Sequence, residues 1–247
     1  LGGRRFAYLS TITDDYETLN MYKWGLDSSY GLTGMAEGEF AVQDLTWEIV
    51  NKMNLGVELG FLNGMIDLQL DYFDERRKDI FMPRESVPMT AGFMKQPWKN
   101  FGKVTNQGVE VSLNVNKQFG KDLFVSLMGT FTYAHNEITE KDEPSAVVGT
   151  NRAETGHPVG QLTGYIAEGL FTADDFEDVS TGKLKEGIPT QSFVGKLRPG
   201  DIRYRDVNGD GKVDVFDKSP IGGTKDPEIV YGFGLNMKYK NLDFGAL

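Results

Sequence analysis

Apolar and polar residues alternate without a break from Met53 to Phe61, with Met53, Leu55, Val57, Leu59 and Phe61 set against Asn54, Gly56, Glu58 and Gly60. A period of two is that of a β-strand, whose successive side chains leave opposite faces. Asn63-Gly64 follows, the pair that most readily takes positive φ in a two-residue type I′ turn. Ile66, Leu68, Leu70 and Tyr72 then alternate with Asp67, Gln69 and Asp71, which predicts a hairpin. The pattern returns at Val109, Val111, Leu113 and Val115, and after a turn at Phe119-Gly120-Lys121 it resumes at Leu123, Val125, Leu127, Gly129, Phe131 and Tyr133. It returns once more at Ile229, Tyr231, Phe233, Leu235, Met237 and Tyr239, before Lys240-Asn241 and a strand that begins at Leu242. About six strands are predicted.

Short turns near 63, 120 and 240 alternate with long connections at about 77–102 and 134–227. Antiparallel neighbours run in opposite directions, so all the short turns fall at one end of the sheet and the long connections at the other. Outer-membrane barrels show this asymmetry. A soluble β-sandwich also alternates apolar and polar residues, but its strands are typically about 5–6 residues. The patterns here run across roughly ten positions, the length a tilted strand needs to cross a bilayer. They also close on Tyr72, Phe73, Tyr133 and Tyr239, where an aromatic girdle belongs. Length favours the barrel.

Composition leaves that picture standing. No run of 18 apolar residues exists, so no transmembrane helix is predicted, which leaves strand spanning open. Cysteine is absent, which removes disulfides, thiolate metal sites and Cys nucleophiles. The net charge of −10 argues against a nucleic-acid-binding surface, which needs clustered Lys and Arg. Residues 134–228 carry 18 Asp and Glu against 11 Lys and Arg, a surplus of seven, so the acidity is concentrated in the long connection. The chain opens at Leu1 without Met or a signal peptide and closes inside a strand pattern, and it reads as part of a longer protein.

Within that connection, residues 206–217 read DVNGDGKVDVFD. Calcium takes six to eight oxygens, and a 12-residue loop supplies them from positions 1, 3, 5, 7, 9 and 12, with Gly at the sharp turn. The candidate ligands are Asp206, Asn208, Asp210, the Lys212 carbonyl, Asp214 and Asp217, with Gly211 at position 6 and Val213 as the apolar anchor. The last position departs from the usual Glu, which puts bidentate ligation by Asp217 in question. A calcium sensor needs helices on both sides of its loop. Here the flanks are Arg198-Pro199-Gly200-Asp201-Ile202-Arg203-Tyr204 and Lys218-Ser219-Pro220-Ile221-Gly222-Gly223, rich in helix breakers. The expected role is a structural calcium clip that gathers mutually repelling carboxylates and orders a long loop.

No catalytic constellation stands out. His135 and His157 lie outside metal-binding spacing, no nucleophile elbow, phosphate loop or dinucleotide fingerprint is present, and Asp174-Asp175 has no apolar neighbourhood to shift its acids. Trp24, Trp47, Trp98, Tyr16, Tyr22, Tyr30 and Phe93 are candidates for stacking on sugars, with packing or girdle anchoring the plainer reading.

Several runs together resemble one family. Trp47-Glu48, then Asn54, Gly56 and Glu58, Leu62-Asn63-Gly64, Asp71-Tyr72-Phe73, Arg76 and Asp79-Ile80 are similar to the C-terminal barrel of SusC/RagA-type TonB-dependent transporters. Asn100-Phe101-Gly102-Lys103-Val104, Asn106 and Gly108-Val109-Glu110 resemble a strand start of that family. Gly156-His157-Pro158-Val159-Gly160, Tyr165 and Gly169-Leu170-Phe171 extend the likeness, as do Arg198-Pro199-Gly200-Asp201-Ile202, Ile221-Gly222, Pro227 and Tyr231-Gly232. The resemblance runs in order from about Arg4 onward. It implies a multi-pass barrel of about 22 strands in the outer membrane of a Gram-negative bacterium, importing glycan fragments or peptides. It further implies drive from TonB through an N-terminal region not in this sequence, and a lid formed by a SusD-like surface lipoprotein.

The expected fold is therefore all-β, with residues 1–247 an antiparallel transmembrane barrel segment and 134–227 a long extracellular loop carrying the calcium-type loop at 206–217. The expected function is transport, without catalysis, with outer-membrane lipid, TonB, the lipoprotein and a glycan or peptide substrate as partners. The alternative is a secreted, calcium-stapled β-domain that binds carbohydrate or a surface ligand without transporting it.

Overall fold

The computed structural model describes residues 6–13, 22–27, 30–32, 35–93 and 95–247. Four short strands come first: β1 (Thr11–Thr13), β2 (Tyr22–Trp24), β3 (Tyr30–Leu32) and β4 (Ala36–Glu39). β1 pairs with β4 and β2 with β3, both antiparallel. Four long strands follow, β5 (Ile49–Phe61), β6 (Ile66–Pro83), β7 (Trp98–Phe119) and β8 (Leu123–Glu140). The connection after β8 holds β9 (Gln161–Gly164), β10 (Ala167–Leu170), β11 (Phe176–Asp178), β12 (Lys183–Leu184), β13 (Thr190–Gln191), β14 (Ile202–Tyr204), β15 (Lys212–Val213) and β16 (Ser219–Thr224). β17 (Ile229–Tyr239) and β18 (Leu242–Ala246) complete a six-stranded sheet of order β18-β17-β8-β7-β6-β5. Chain neighbours are sheet neighbours throughout, with β9 to β16 inserted between β8 and β17.

Register carries the alternation across strands. β17 pairs antiparallel with β8 so that Ile229 faces Tyr133, Tyr231 Phe131, Leu235 Leu127, Met237 Val125 and Tyr239 Leu123. On the other side β18 sets Phe244 against Met237 and Leu242 against Tyr239. Directly paired residues share a face, so one face is an unbroken apolar field. The intervening pairs, among them Asn236 with Ser126 and Lys238 with Asp243, supply a polar face. The apolar field is exposed, with Tyr231 at 72% and Phe233 at 76% of their accessible surface. Tyr133 and Tyr239 lie at opposite ends of this ladder. Phe73 does not share a face with Tyr72, its chain neighbour, and packs against Gly108 instead.

The hairpin turn falls where the sequence predicts but is wider than two residues: it runs over 62–65, with Leu62, Asn63 and Gly64 at φ of 55°, 57° and 81°, and the Met65 N–H donates to the Leu62 carbonyl. Strand length differs from expectation. β6 and β8 have 18 residues and β7 has 22, where about ten were expected, so the long connections are shorter than 77–102 and 134–227. Asp74-Glu75-Arg76-Arg77-Lys78 and His135-Asn136-Glu137 are polar in succession and hide the period of two. They stay extended by pairing, with Lys52 on Glu75 and Lys103 on Glu140 at 2.5 Å, and Arg77 on Glu48 at 2.5 Å.

Contacts divide the chain into two compact units. Residues 1–52, 75–105 and 138–146 form the first, tied by those ion pairs and by Arg84 on the buried Asp142 at 2.6 Å. Residues 53–74, 106–137 and 147–247 form the second. It contains a small core of its own, Phe171, Phe176 and Leu197 with Leu184, Ile188 and Val194 packed around them, built entirely from the long connection.

Gly108 marks a close approach inside the second unit: a Cβ there would lie 2.2 Å from the Tyr133 carbonyl oxygen and 2.6 Å from the Phe73 ring. Backbone cannot yield as a side-chain tip can. Gly108→Ala in the full-length protein is expected to cost about 1–3 kcal/mol through overpacking and to lower the temperature at which the folded band is lost on heating in detergent gels. An unchanged melting temperature contradicts the close packing.

Candidate metal loop

The loop at 206–217 is built from side-chain oxygens that accept backbone N–H groups. Asp206 takes Gly209 N–H at 2.7 Å on Oδ1 and Gly211 N–H at 2.8 Å on Oδ2. Asn208 Oδ1 takes Asp210 N–H at 2.9 Å, Asp210 Oδ1 takes Lys212 N–H at 3.0 Å, and Asp214 Oδ1 takes Phe216 N–H at 2.9 Å. Asp and Asn close such local turns because their short side chains reach the backbone two or three residues on. Gly211, with φ of 86°, makes the sharp turn that a residue with a Cβ disfavours. Val213 is fully buried, as its anchoring position predicts.

Asp217 is also fully buried, and its carboxylate is the clasp of the loop. Oδ1 accepts from Val207 N–H at 2.8 Å and Asn208 N–H at 3.3 Å, and Oδ2 accepts from Asp214 N–H at 2.7 Å. A carboxylate has about four acceptor sites, two per oxygen. Three are taken here, all by amides of the loop itself.

β13 and β15 pair in parallel, and this short ladder uses the carbonyls of Gly211 and Val213. The intervening Lys212 carbonyl lies on the other side of the strand. The Lys212 ammonium sits 3.3 Å from Asp214 Oδ2. Its pKa is raised by that hydrogen bond and charge and by the charges of Asp210 and Asp217. The Asp214 carboxyl is lowered chiefly by the Phe216 N–H, against partial burial, with help from Lys212.

The donor set is all oxygen and suits a hard cation. Among the described residues, however, no three acid or imidazole side chains converge on one point as a metal cluster. The hydrogen bonds alone close the loop. The loop ends in a three-residue 3-10 turn, Val215–Asp217, and its flanking elements are the strands β14 and β16; among the described residues it lacks the helix pair of a sensor.

The other candidates fall apart from one another. His135 Nδ1 lies 2.7 Å from Glu228 Oε1 and ties β8 to the start of β17. Asp175 takes the Thr172 N–H and hydroxyl, which lowers its pKa, and so serves as a turn cap beside Asp174. Trp98 packs on Phe81 at 5.1 Å and Phe93 on Phe40 at 4.5 Å, whereas Trp47 is 80% exposed. Tyr16 and the side chains of Tyr22, Trp24 and Tyr30 lie outside the described residues. The sequence reading missed an aromatic group beside the metal loop: Tyr165 stacks on Phe193 at 4.5 Å, with Tyr204 5.6 Å from Tyr165. Burial raises the Tyr165 pKa, and the charges of Asp214 and Asp217 add to it. Its three members are 39 residues apart from first to last in the chain, with no shared period to reveal them.

A six-stranded sheet with one exposed apolar face, short turns at one end and a long structured connection at the other is a segment of an antiparallel β-barrel. The TonB dependent receptor-like beta-barrel family matches residues 10–236, and the chain belongs to that family. Members are receptors of the Gram-negative outer membrane. The chain is similar to TonB-dependent receptor P3 of Formosa agariphila, 24% identical over 92% of this chain. It is similar to TonB-dependent receptor SusC of Bacteroides thetaiotaomicron, 29% identical over 82% of this chain. It spans only 23% and 19% of those relatives. The fold matches structures of the RagAB peptide importer in closed-closed and open-open states, with TM-scores of 0.61 and 0.62 at 20% and 21% identity. Those matches cover 97% and 100% of this chain and 24% of each importer chain.

Two outcomes follow for the loop. Asp217→Ala strands three N–H groups, and leaving one buried donor unpaired costs about 1–3 kcal/mol. Hydrogen exchange at Val207, Asn208 and Asp214 is expected to accelerate by about 10–100-fold, and unchanged rates would remove the clasp role. For pH, Asp214 has a depressed pKa, so its contribution is complete above its ordinary 3.8 and is lost as pH falls through the lower folded value. Lys212 has a raised pKa, so its contribution is complete below 10.5 and is lost as pH rises through the higher folded value. The protection of the Phe216 amide, its exchange relative to an unstructured amide at the same pH, is expected to hold between those limits and to fall at the acid end, with the acid-side fall absent in Asp214→Asn.

Proposed function

We propose that this chain is the wall and outer vestibule of a SusC/RagA-type transporter, importing glycan fragments or peptides across the outer membrane. The observation that carries the reading is the uncovered apolar ladder of β8, β17 and β18, whose 11-residue β17 is as long as a bilayer-crossing strand must be. The alternation places lipid on the Tyr231–Phe233 face and the lumen on the Asn236–Lys238 face. The connection between β8 and β17 is the extracellular loop. A SusD-like surface lipoprotein and TonB are the partners this reading names, and the SusC and RagAB likenesses support it. Transport, with no chemical step, is the role of this segment, in keeping with a family of receptors.

A calcium ion belongs to the same reading, held by Asp206, Asn208, Asp210 and Asp214, the Lys212 carbonyl and Asp217. The ion supplies positive charge to a loop already shaped by hydrogen bonds. The protein's own part is to turn side-chain oxygens toward the 208–212 backbone and to hold Asp214 with Lys212.

Phe233→Arg places a cation in hydrocarbon at a cost of about 2–4 kcal/mol near the midplane. It is expected to cut the outer-membrane level of the full-length protein, while Asn236→Arg, on the other face, leaves it near wild type. Equal effects of the two, or retention of the protein in the soluble fraction without detergent, would favour the secreted-domain alternative. Import itself is tested by growth of a gene-deletion strain on oligosaccharides or peptides as sole nutrient, against its complemented parent. For the metal, calorimetric titration is expected to show one calcium site of about 10⁻⁴–10⁻³ M or tighter, lost in Asp206→Ala/Asp210→Ala. Absence of binding at millimolar calcium sinks the metal claim alone.

A further inference from the structure

A cavity of about 380 Å³ lies between residues 151–163 and 215–220, within the second unit and against the metal loop. That is the size of a pocket for a small ligand. Its lining includes the cations Arg152 and Lys218, with His157 beside them, against the single carboxylate of Glu154. The surrounding connection is strongly acidic, so this group of cations runs against the local trend.

Arg152 and Lys218 are not consumed by ion pairs: among the described residues neither has a carboxylate partner. Their heads rest on aromatic rings, Arg152 4.9 Å from the Phe216 centroid and Lys218 5.7 Å from that of Tyr165. A cation over a ring face keeps its N–H donors available at its edge, and a guanidinium so held is set to grip a carboxylate with two parallel bonds. Both walls are fixed before anything binds. Asn151 Nδ2 donates to the carbonyls of Phe216 at 2.9 Å and Lys218 at 2.8 Å, and Gln161 Nε2 donates to those of Ile221 and Gly223. Links between residues 60 or more positions apart tie the two walls together without drawing on the charge of either cation.

We propose that this cavity is a subsite for a carboxylate group on the transported oligomer, gripped by Arg152 and Lys218. Two fixed cations opposed by one Glu match a singly charged carboxylate, whereas a phosphate dianion is left under-neutralised. The proposal rests on the reading of this connection as the transporter's vestibule, where a carboxylate-bearing glycan or an acidic peptide meets the protein first.

The test is calorimetric titration of the purified full-length protein with two carboxylate probes, galacturonate and N-acetylglutamate, each beside its neutral counterpart, galactose and N-acetylglutamine. Binding of either acid at least tenfold tighter than its neutral counterpart is expected, and which acid binds tells a sugar source from a peptide one. Arg152→Met and Lys218→Met are each expected to weaken that binding at least tenfold, with Arg152→Lys recovering part of it, while calcium binding and the folded gel band stay as in wild type. No preference for acid over neutral probes, or equal binding by the Met variants, overturns the proposal. Since these measurements use purified protein, their failure leaves import in cells standing, and loss of import leaves the titration interpretable.

Discussion

The rest of the fold depends on the demand that a strand crossing hydrocarbon pair every backbone N–H and C=O while turning only apolar side chains outward. The ladder of β8 with β17 meets both parts at once: eleven consecutive pairs, with apolar residues meeting apolar residues at every second step. A slip of one residue would carry Lys238 and Asn236 to the lipid side and bury the aromatic residues in the lumen, so the register has one acceptable value. β5 and β18 are the sheet's edge strands, with Met53, Leu55 and Val57 exposed on one and Leu242 and Phe244 on the other. In hydrocarbon such edges are satisfied by further strands. This is the expected situation for a chain that covers about a quarter of its structural neighbours.

The connection between β8 and β17 obeys a different economy. Its main apolar cluster has three buried residues, Phe171, Phe176 and Leu197, with Val213 buried outside that cluster, each giving about 1.5–3 kcal/mol. Fixing one residue's backbone costs about 1–2 kcal/mol, so a core of that size orders only a few residues. Order must come from local polar closure: Asp175 on Thr172, Asp178 on Ser180 and Thr181, and Asp217 on three amides of its own loop. The acidity of this region therefore has a structural use. Aspartates are the turn-closers, and the surplus of negative charge follows from using many of them.

Much of the sheet is legible in the sequence because one face meets lipid. Where that contrast ends, so does legibility: the polar stretches after Tyr72 and Tyr133 continue as strand, held by ion pairs between neighbouring strands that no periodicity announces. Phe73 shows the limit of the girdle pattern, because adjacent strand residues point to opposite faces and its ring lies against Gly108. Within the connection, the residues of 206–217 do close on one another through Asp206, Asn208, Asp210, Asp214 and Asp217. The sequence could not show the Tyr165, Phe193 and Tyr204 group, the small core or the cavity beside Arg152, because each is assembled from distant segments by links such as Asn151 to Phe216 and Lys218.

The metal loop shows why a spacing can be read correctly as a shape before it is read as a site. Asp206, Asn208 and Asp210 recur at every second position, and each is turned onto an amide two to five residues ahead. That spacing is what consecutive hydrogen-bonded turns require, and it is also the ligand spacing of a 12-residue calcium loop. The two readings part at Lys212 and Asp217. A fully acidic, cation-free loop would leave Asp214 beside other carboxylates without compensation, and here the Lys212 ammonium supplies that charge. An ion in the loop would compete with Lys212 for Asp214 and would meet an Asp217 that already accepts three amides of the loop. Any affinity of this loop for a cation would therefore depend on how readily one lysine gives way, a quantity the consensus spacing does not contain.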